Sequence, residues 1–320
     1  MICMAVPEIE TIALAEVRDT RDVGVVTSGP AWAAAHRAGL HLAPAWTDAP
    51  VDASEPAFAA LAARCPAGVA VIYGVGGGLA ADAAKYVARH HSLPLILIPT
   101  ALSVDAHLTW ASGVRRDGCI TYLPTGAAQR VLVDTALIAA APPGVRAAGI
   151  CDLLSIATGT WDWHHAEARG QNPPEQAYLP WAAALAGEIL AASLIVAPGA
   201  GRGEPAGLLD LLRLLALEVQ LCNLLGHSRP EEGSEHYLAY ALEAHPAIGA
   251  GHAHGDLVGP AIIRAATWQG QAVAPLHDAL VAAGVPLDRV PAAVLDDVEQ
   301  TLPQYVRRHR LAFGIAHELS

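Results

Sequence analysis

The sequence predicts an α/β domain built on a parallel sheet, followed by an all-helical domain, and three observations carry that expectation. Short apolar or β-branched runs alternate with helix-length segments up to residue 142. Beyond Pro142-Pro143 strand signals almost vanish and one helical segment follows another. The chain has 320 residues, 53% of them hydrophobic, and single cores stop growing near ~250–300 residues. The expected division is therefore 1–142 and 143–320.

In the first half, Asp22–Ser28 (DVGVVTS) reads as a strand closed by the turn signal Ser28-Gly29-Pro30, with Ala31–Ala38 as a short helix. Gly68–Tyr73 (GVAVIY) is a continuous apolar run, as a strand covered on both faces requires. A glycine cluster follows, then Ala80–His91 at helical period. Leu95–Ile98, stopped by Pro99, and Val131–Val133 before Asp134 are the remaining strands. Strands separated by helices imply βαβ units and a parallel sheet. In the second half, Val145–Gly159, Leu179–Ala197, Leu208–Leu225, Glu235–Ala244, Ala261–Ala274 and Asp296–His309 read as helices, with Gly170–Pro174 and Pro198–Glu204 as exposed loops.

Composition excludes some roles. The formal charge of −12, with no basic run, repels nucleic acid. Five scattered cysteines without a CxxC pair read as reduced thiols, which points to the cytoplasm. The first residues carry acids and no basic region ahead of an apolar one, so no signal peptide is expected. Trp181–Ala200 and Leu208–Leu225 approach the ~20 apolar residues of a membrane span. Glu188 interrupts the first, and Asp210, Arg213 and Glu218 the second, so both are expected as buried helices. The apolar helical half makes a homo-oligomer a reasonable expectation.

The glycine cluster is the first motif with chemistry in it. Tyr73-Gly74-Val75-Gly76-Gly77-Gly78 joins a buried strand to a helix. Residues without side chains let the backbone approach a pyrophosphate, and the helix N-terminus offers unpaired N–H groups at the positive end of its dipole. A plain tight turn would need only glycines at φ > 0; the position between strand and helix favours phosphate binding. The spacing is neither GxGxxG nor GxxxxGK[ST].

Gly76-Gly77-Gly78 with Asp82 and Lys85 downstream resembles the iron-containing alcohol dehydrogenase superfamily, which includes glycerol dehydrogenase, glycerol-1-phosphate dehydrogenase and dehydroquinate synthase. The resemblance continues through Pro99-Thr100-Ala101-Leu102-Ser103-Val104-Asp105. It implies a Rossmann-like NAD(P)-binding domain and a dehydroquinate synthase-like fold overall. It also implies cofactor contacts from Gly76, Gly77, Gly78, Asp82, Thr100 and Ser103, and a catalytic or substrate-orienting Asp105. By residue type alone, Asp105 reads as a helix cap or turn residue.

Three segments offer metal ligands: Gly149-Ile150-Cys151-Asp152, Ser228-Arg229-Pro230-Glu231-Glu232-Gly233-Ser234-Glu235-His236, and His252-Ala253-His254-Gly255-Asp256. One Asp and two His leave open positions on a divalent metal, as a catalytic site requires. Among fifteen histidines, spacing alone does not single out ligands. The resemblance does, implying Asp152, His236 and His254, with SRPxxGSEH similar to glycerol-1-phosphate dehydrogenases. An Asp at the first position favours the dehydrogenase branch over dehydroquinate synthase. Cys151, Glu232 and Asp256 depart from the family's usual Gly, small residue and Glu; Glu232 adds negative charge that would repel a phosphate.

The resemblance thus implies a metal-dependent NAD(P)-linked dehydrogenase interconverting a small polyol, or its phosphate, and the ketone. Glycerol 1-phosphate is the first expectation, with the site in the cleft between the domains. Zinc is the first expectation for the metal, and iron or nickel suits the same donors. With no acid at Ser28-Gly29-Pro30, NAD and NADP both stay open. The competing readings are a cyclase or lyase of the dehydroquinate synthase type without net NAD turnover, and a catalytically silent nucleotide-binding homologue.

Overall fold

The computed structural model describes residues 6–248 and 252–319. The chain divides at Pro142/Pro143 into two compact units. The first runs β1 (Glu8–Thr11), β2 (Val23–Thr27), α1 (Gly29–Arg37), β3 (Pro44–Asp48), α2 (Glu55–Arg64), β4 (Val71–Gly76), α3 (Gly78–His91), β5 (Leu95–Pro99), β6 (Ser112–Arg116), β7 (Cys119–Leu123), β8 (Arg130–Val133) and α4 (Thr135–Ala139).

Six strands form one sheet in the order β1-β8-β5-β4-β2-β3, and every pair is parallel. The strands β2, β4 and β5 are buried along their whole length, which explains their unbroken apolar runs. Alternate residues Val71, Tyr73 and Val75 enter a core with Val23, Val25, Ile96, Ile98, Leu14 and Leu40. On the other face α3 lies directly on β4. A Cβ at Gly74 would come within 2.7 Å of Ala84 Cβ and 2.5 Å of Leu97 Cδ2. Because β3 lies outside β2 while β4 and β5 continue on its other side, the order of connection reverses between β2 and β4. Ligands of open α/β sheets bind outside the carboxyl ends of the strands at such a reversal.

Sequence reading missed β1, β3, the β6–β7 hairpin and α2. The two edge strands hold only exposed and half-buried residues and carry Pro, Glu, Thr and Asp, so neither shows an apolar run. The only lysine of the chain, Lys85, is 1% exposed. Its ammonium donates to Asp82 Oδ1 (2.9 Å), Thr109 Oγ1 (2.9 Å) and the Ala111 carbonyl, tying α3 to the segment that enters β6. Cys65, Cys119, Cys151 and Cys222 are free thiols; Cys3 lies outside the described residues.

The second unit runs α5 (Pro143–Arg146), α6 (Ile150–Leu154), α7 (Ile156–Ala168), α8 (Pro180–Gly201), α9 (Pro205–Leu225), α10 (Ser234–Ala244), α11 (His254–Trp268), α12 (Val273–Ala282) and α13 (Ala292–His309), with no strand among its described residues. The expected helix Val145–Gly159 is broken. Ser155 Oγ donates to the Asp152 carbonyl and Thr158 Oγ1 to the Ser155 carbonyl, side-chain bonds that compete with a continuous helix. The expected helix Ala261–Ala274 is also displaced. α11 starts at His254 and runs through Pro260, and Gly270 (φ 67°) turns the chain before α12.

The expected loop Pro198–Glu204 is mostly helix, because α8 continues to Gly201. Gly199, Gly201 and Gly207 make this a close crossing: a Cβ on Gly207 would lie 2.5 Å from the Gly199 carbonyl carbon, and one on Gly201 2.0 Å from the Ala282 oxygen. The turn shrinks to Arg202-Gly203-Glu204. Although α8 was expected to be buried, only 28% of its most apolar window is. Trp181, Leu185 and Ile195 face outward. By length and composition it is the one described helix that passes for a membrane span, and it packs against α9, α12, α6 and α7. A helix apolar on every side does not reveal which side is covered.

Replacing Gly207 with alanine should force α8 and α9 apart. We expect a loss of about 1–3 kcal/mol, read as a lowered midpoint in chemical denaturation.

Candidate functional site

In the helical unit, three side chains far apart in sequence meet. Asp152 lies in α6, His236 in the first turn of α10, and His254 at the start of α11. One donor atom from each lies within 4.8 Å of the other two. His254 Nε2 is 2.8 Å from Asp152 Oδ1, and the two imidazole centroids are 5.5 Å apart. Asp152 and His236 are 2% and 4% exposed, while His254 is half-buried. Two imidazole nitrogens and one carboxylate converging from three helices form a donor set that suits zinc, iron or nickel.

Glu235 stands in the motif ahead of His236, where residue type alone gives it no role. It is fully buried, and its Oε1 accepts the Gly233 N–H (2.6 Å) and His236 Nδ1–H (3.0 Å). That fixes the tautomer and turns Nε2 of His236 toward the other two donors, the outer-shell arrangement typical of metal-binding histidines. Glu235 Oε2 has no hydrogen-bond partner. An orphaned carboxylate oxygen in a core is costly, and a cation held by His236 would offset its charge. Burial works against a charged His236, but the nearby carboxylates Glu235, Glu232 and Asp152 outweigh it and push the imidazole up to about 9. The environment is built to receive positive charge.

The loop ahead of α10 is anchored by Asp162, a residue of α7 that sequence reading passed over. Its Oδ2 accepts from Ser234 N–H (2.7 Å) and Oγ–H (2.5 Å); its Oδ1 accepts from Ile315 N–H (2.8 Å) and Gln269 Nε2–H (3.1 Å). Gly233 is obligatory beside it. A Cβ there would lie 2.9 Å from Asp162 Oδ2 and 3.1 Å from Glu235 Oε2. Burial, and then the charge of Glu235, raise Asp162 to about 6 despite these donors. An acid in the otherwise aromatic run Trp161-Asp162-Trp163 was the signal available for it.

Other histidines fall outside the cluster. His252 faces Asp256 at 3.9 Å. His165 stacks on Trp161, and His164 packs edge-on against Tyr178. Glu232 lies just ahead of α10: Tyr240 O–H donates to its Oε1 at 2.8 Å and Ser228 Oγ–H to its Oε2 at 2.5 Å.

In the sheet unit, the glycine loop leaves β4 at Gly76 (φ 156°) and opens α3, whose N-terminus no side chain caps. Ser103 Oγ lies 3.4 Å from the Cβ position of Gly77, and Val104 fills that of Gly78 at 2.7 Å. Thr100 N–H donates to the Gly76 carbonyl (3.1 Å). Gly76, Gly77, Gly78, Thr100 and Ser103 therefore share one patch at the carboxyl ends of the strands. Asp82 lies a turn inside α3, where its carboxylate holds Lys85. Asp105 begins a 3-10 turn and is half-buried. His107, unassigned by sequence, is buried, and its Nε2–H donates to the Gly76 carbonyl at 3.0 Å. Burial pushes it down to about 4, so a neutral imidazole holds the loop.

Known proteins resemble this chain in sequence and in fold. The family model described as iron-containing alcohol dehydrogenase matches residues 18–142. A glycerol-1-phosphate dehydrogenase [NAD(P)+] from Aeropyrum pernix is 31% identical over 254 residues, 78% of this chain and 68% of its own. One from Methanothrix thermoacetophila is 32% identical over 71% of this chain; like two further relatives, of which 60% and 63% are matched, it is covered over less than two thirds of its length, at 62%. A probable glycerol dehydrogenase from Sinorhizobium meliloti 1021 superposes with a TM-score of 0.69 at 21% identity, over 95% of this chain and 89% of that one. The chain belongs to the iron-containing alcohol dehydrogenase family, in the group that contains the glycerol-1-phosphate dehydrogenases.

Two outcomes follow. Glu235→Gln should weaken divalent-metal binding by about 10–100-fold in competition titrations with a chromogenic chelator. Asp162 has a folded value raised above its unfolded one, so its protonated form favours the fold. Stability from this group is fully present below about pH 4 and is lost as pH rises through about 6. Relative to Asp162→Asn, the unmodified chain should lose up to roughly 3 kcal/mol across that window, read by urea denaturation at each pH.

Proposed function

We propose that this chain is a metal-dependent NAD(P)-linked dehydrogenase that interconverts a small polyol, or its phosphate, with the corresponding ketone. The observation that carries the reading is the convergence of Asp152, His236 and His254 from three helices. The names of the relatives support the same reaction class.

Asp152, His236 and His254 would hold the metal, zinc first among those the donors suit. Bound there, the metal supplies Lewis-acid polarisation of a substrate oxygen, and the nicotinamide supplies or takes the hydride. The chain's residues do the rest. Glu235 keeps His236 in the tautomer that presents Nε2. Gly76, Gly77 and Gly78 let backbone N–H groups at the start of α3 reach the pyrophosphate, with Thr100 and Ser103 beside it. Asp105 orients a neighbouring hydroxyl or passes a proton. Ser28 follows β2 at the chain reversal, where an acid would select NAD; its hydroxyl accepts from Ala31 N–H instead, so Ser28 does not select between the two cofactors.

The test is NAD(P)H oxidation by metal-replete protein with dihydroxyacetone, its phosphate and other short hydroxyketones. Metal-dependent oxidation of one ketone supports the reading, and full activity in demetallated protein overturns it. Substrate conversion without net NAD(P)H oxidation would favour the cyclase reading. His236→Ala should lower turnover by about 10³-fold or more while nucleotide affinity, measured by fluorescence, changes less than about twofold.

A further inference from the structure

The charges around the three donors bear on which substrate they accept. Glu232, just ahead of α10, reaches Tyr240 O–H at 2.8 Å, and the Tyr240 ring lies 6.0 Å from the His236 ring. The Glu232 carboxylate, the His236 imidazole and Tyr240 therefore share one side of α10. Two donors, Ser228 Oγ–H and Tyr240 O–H, hold that carboxylate in place, and the residue is only partly buried. Glu235 and Asp152 add two further carboxylates. The loop's own cation, Arg229, is 3% exposed and directed elsewhere: its guanidinium donates to the Phe313 carbonyl (2.8 Å) and Tyr237 Oη (3.4 Å). The one lysine of the chain is buried in the other unit.

With one dication bound, the three carboxylates of Asp152, Glu232 and Glu235 still outweigh it by one negative charge. A phosphate monoester brings between one and two negative charges at neutral pH, and a three-carbon substrate spans little more than the ~5.4 Å of one helix turn. While its carbonyl oxygen meets the metal, its phosphate stays within one Debye length, ~8–10 Å, of that metal and feels the field of these carboxylates. We propose that the site takes an uncharged or cationic polyol–hydroxyketone pair and rejects phosphorylated ones, with Glu232 as the specificity-determining residue. This rests on the metal-site reading above and narrows its substrate class.

The experiment uses the zinc-loaded full chain and its Glu232→Gln variant, with dihydroxyacetone, aminohydroxyacetone and dihydroxyacetone phosphate as substrates. In parallel, glycerol and glycerol 1-phosphate are titrated calorimetrically without nicotinamide. The unmodified chain should show kcat/KM at least about tenfold lower for the phosphorylated ketone. Glu232→Gln should narrow that gap about tenfold, mainly through KM, with zinc content unchanged. A preference for the phosphorylated ketone, or a ratio that Glu232→Gln leaves unmoved, overturns the proposal. If no ketone is reduced, the dehydrogenase reading fails and calorimetry decides the charge preference by itself. Weaker binding of glycerol 1-phosphate than glycerol, reversed or narrowed in the variant, supports it; tighter binding of the phosphate overturns it.

Discussion

The helical unit depends on how a buried negative charge is held. Asp162 gathers four hydrogen-bond donors from α10, α11 and the segment after α13, and by doing so fixes the start of α10. Glu235 and His236 then have only one place to go. A carboxylate in a core persists only when its oxygens are satisfied. Asp162 meets that condition with protein donors. Glu235 meets it on one oxygen, and its other oxygen has no hydrogen-bond partner. The two acids thus divide the work: one sets the backbone, the other orients His236.

Under the proposed function, the sheet unit solves a different problem, which is bringing bare backbone to a phosphate. Here the working groups are absences. No side chain at Gly74 allows α3 to lie on β4, and none at Gly76 or Gly77 blocks the helix terminus. The polar support is a neutral imidazole, His107, on the Gly76 carbonyl. A charged histidine would bring a cation into this core; burial prevents that.

Much of this was legible in the sequence because it follows from local pattern. The central strands are apolar throughout, the glycines sit between strand and helix, and the break at Pro142-Pro143 coincides with the end of strand signals. Edge strands β1 and β3 were not legible, because a half-exposed strand of four or five residues has too few apolar positions to register. The three metal-facing donors could be named only by resemblance, since residues 152, 236 and 254 meet through tertiary packing. Glu235 was visible within its motif, but its burial and its bond to His236 were not. Asp162 was hidden for the same reason: an isolated acid on a helix is ordinarily solvated. The glycines that shape the α8–α9 crossing looked like a loop, because Pro-Gly is a turn signal until close packing gives it another use.

The burial of Lys85 has a consequence for the surface. With the only ε-amine enclosed by Asp82, Thr109 and Ala111, arginine supplies all the side-chain cations outside that do not depend on histidine protonation. Guanidinium groups keep their proton to beyond pH 12. The side-chain positive charge displayed by this protein is therefore constant across the alkaline range in which lysine-rich surfaces discharge, and reagents directed at primary amines find no lysine side chain there to modify.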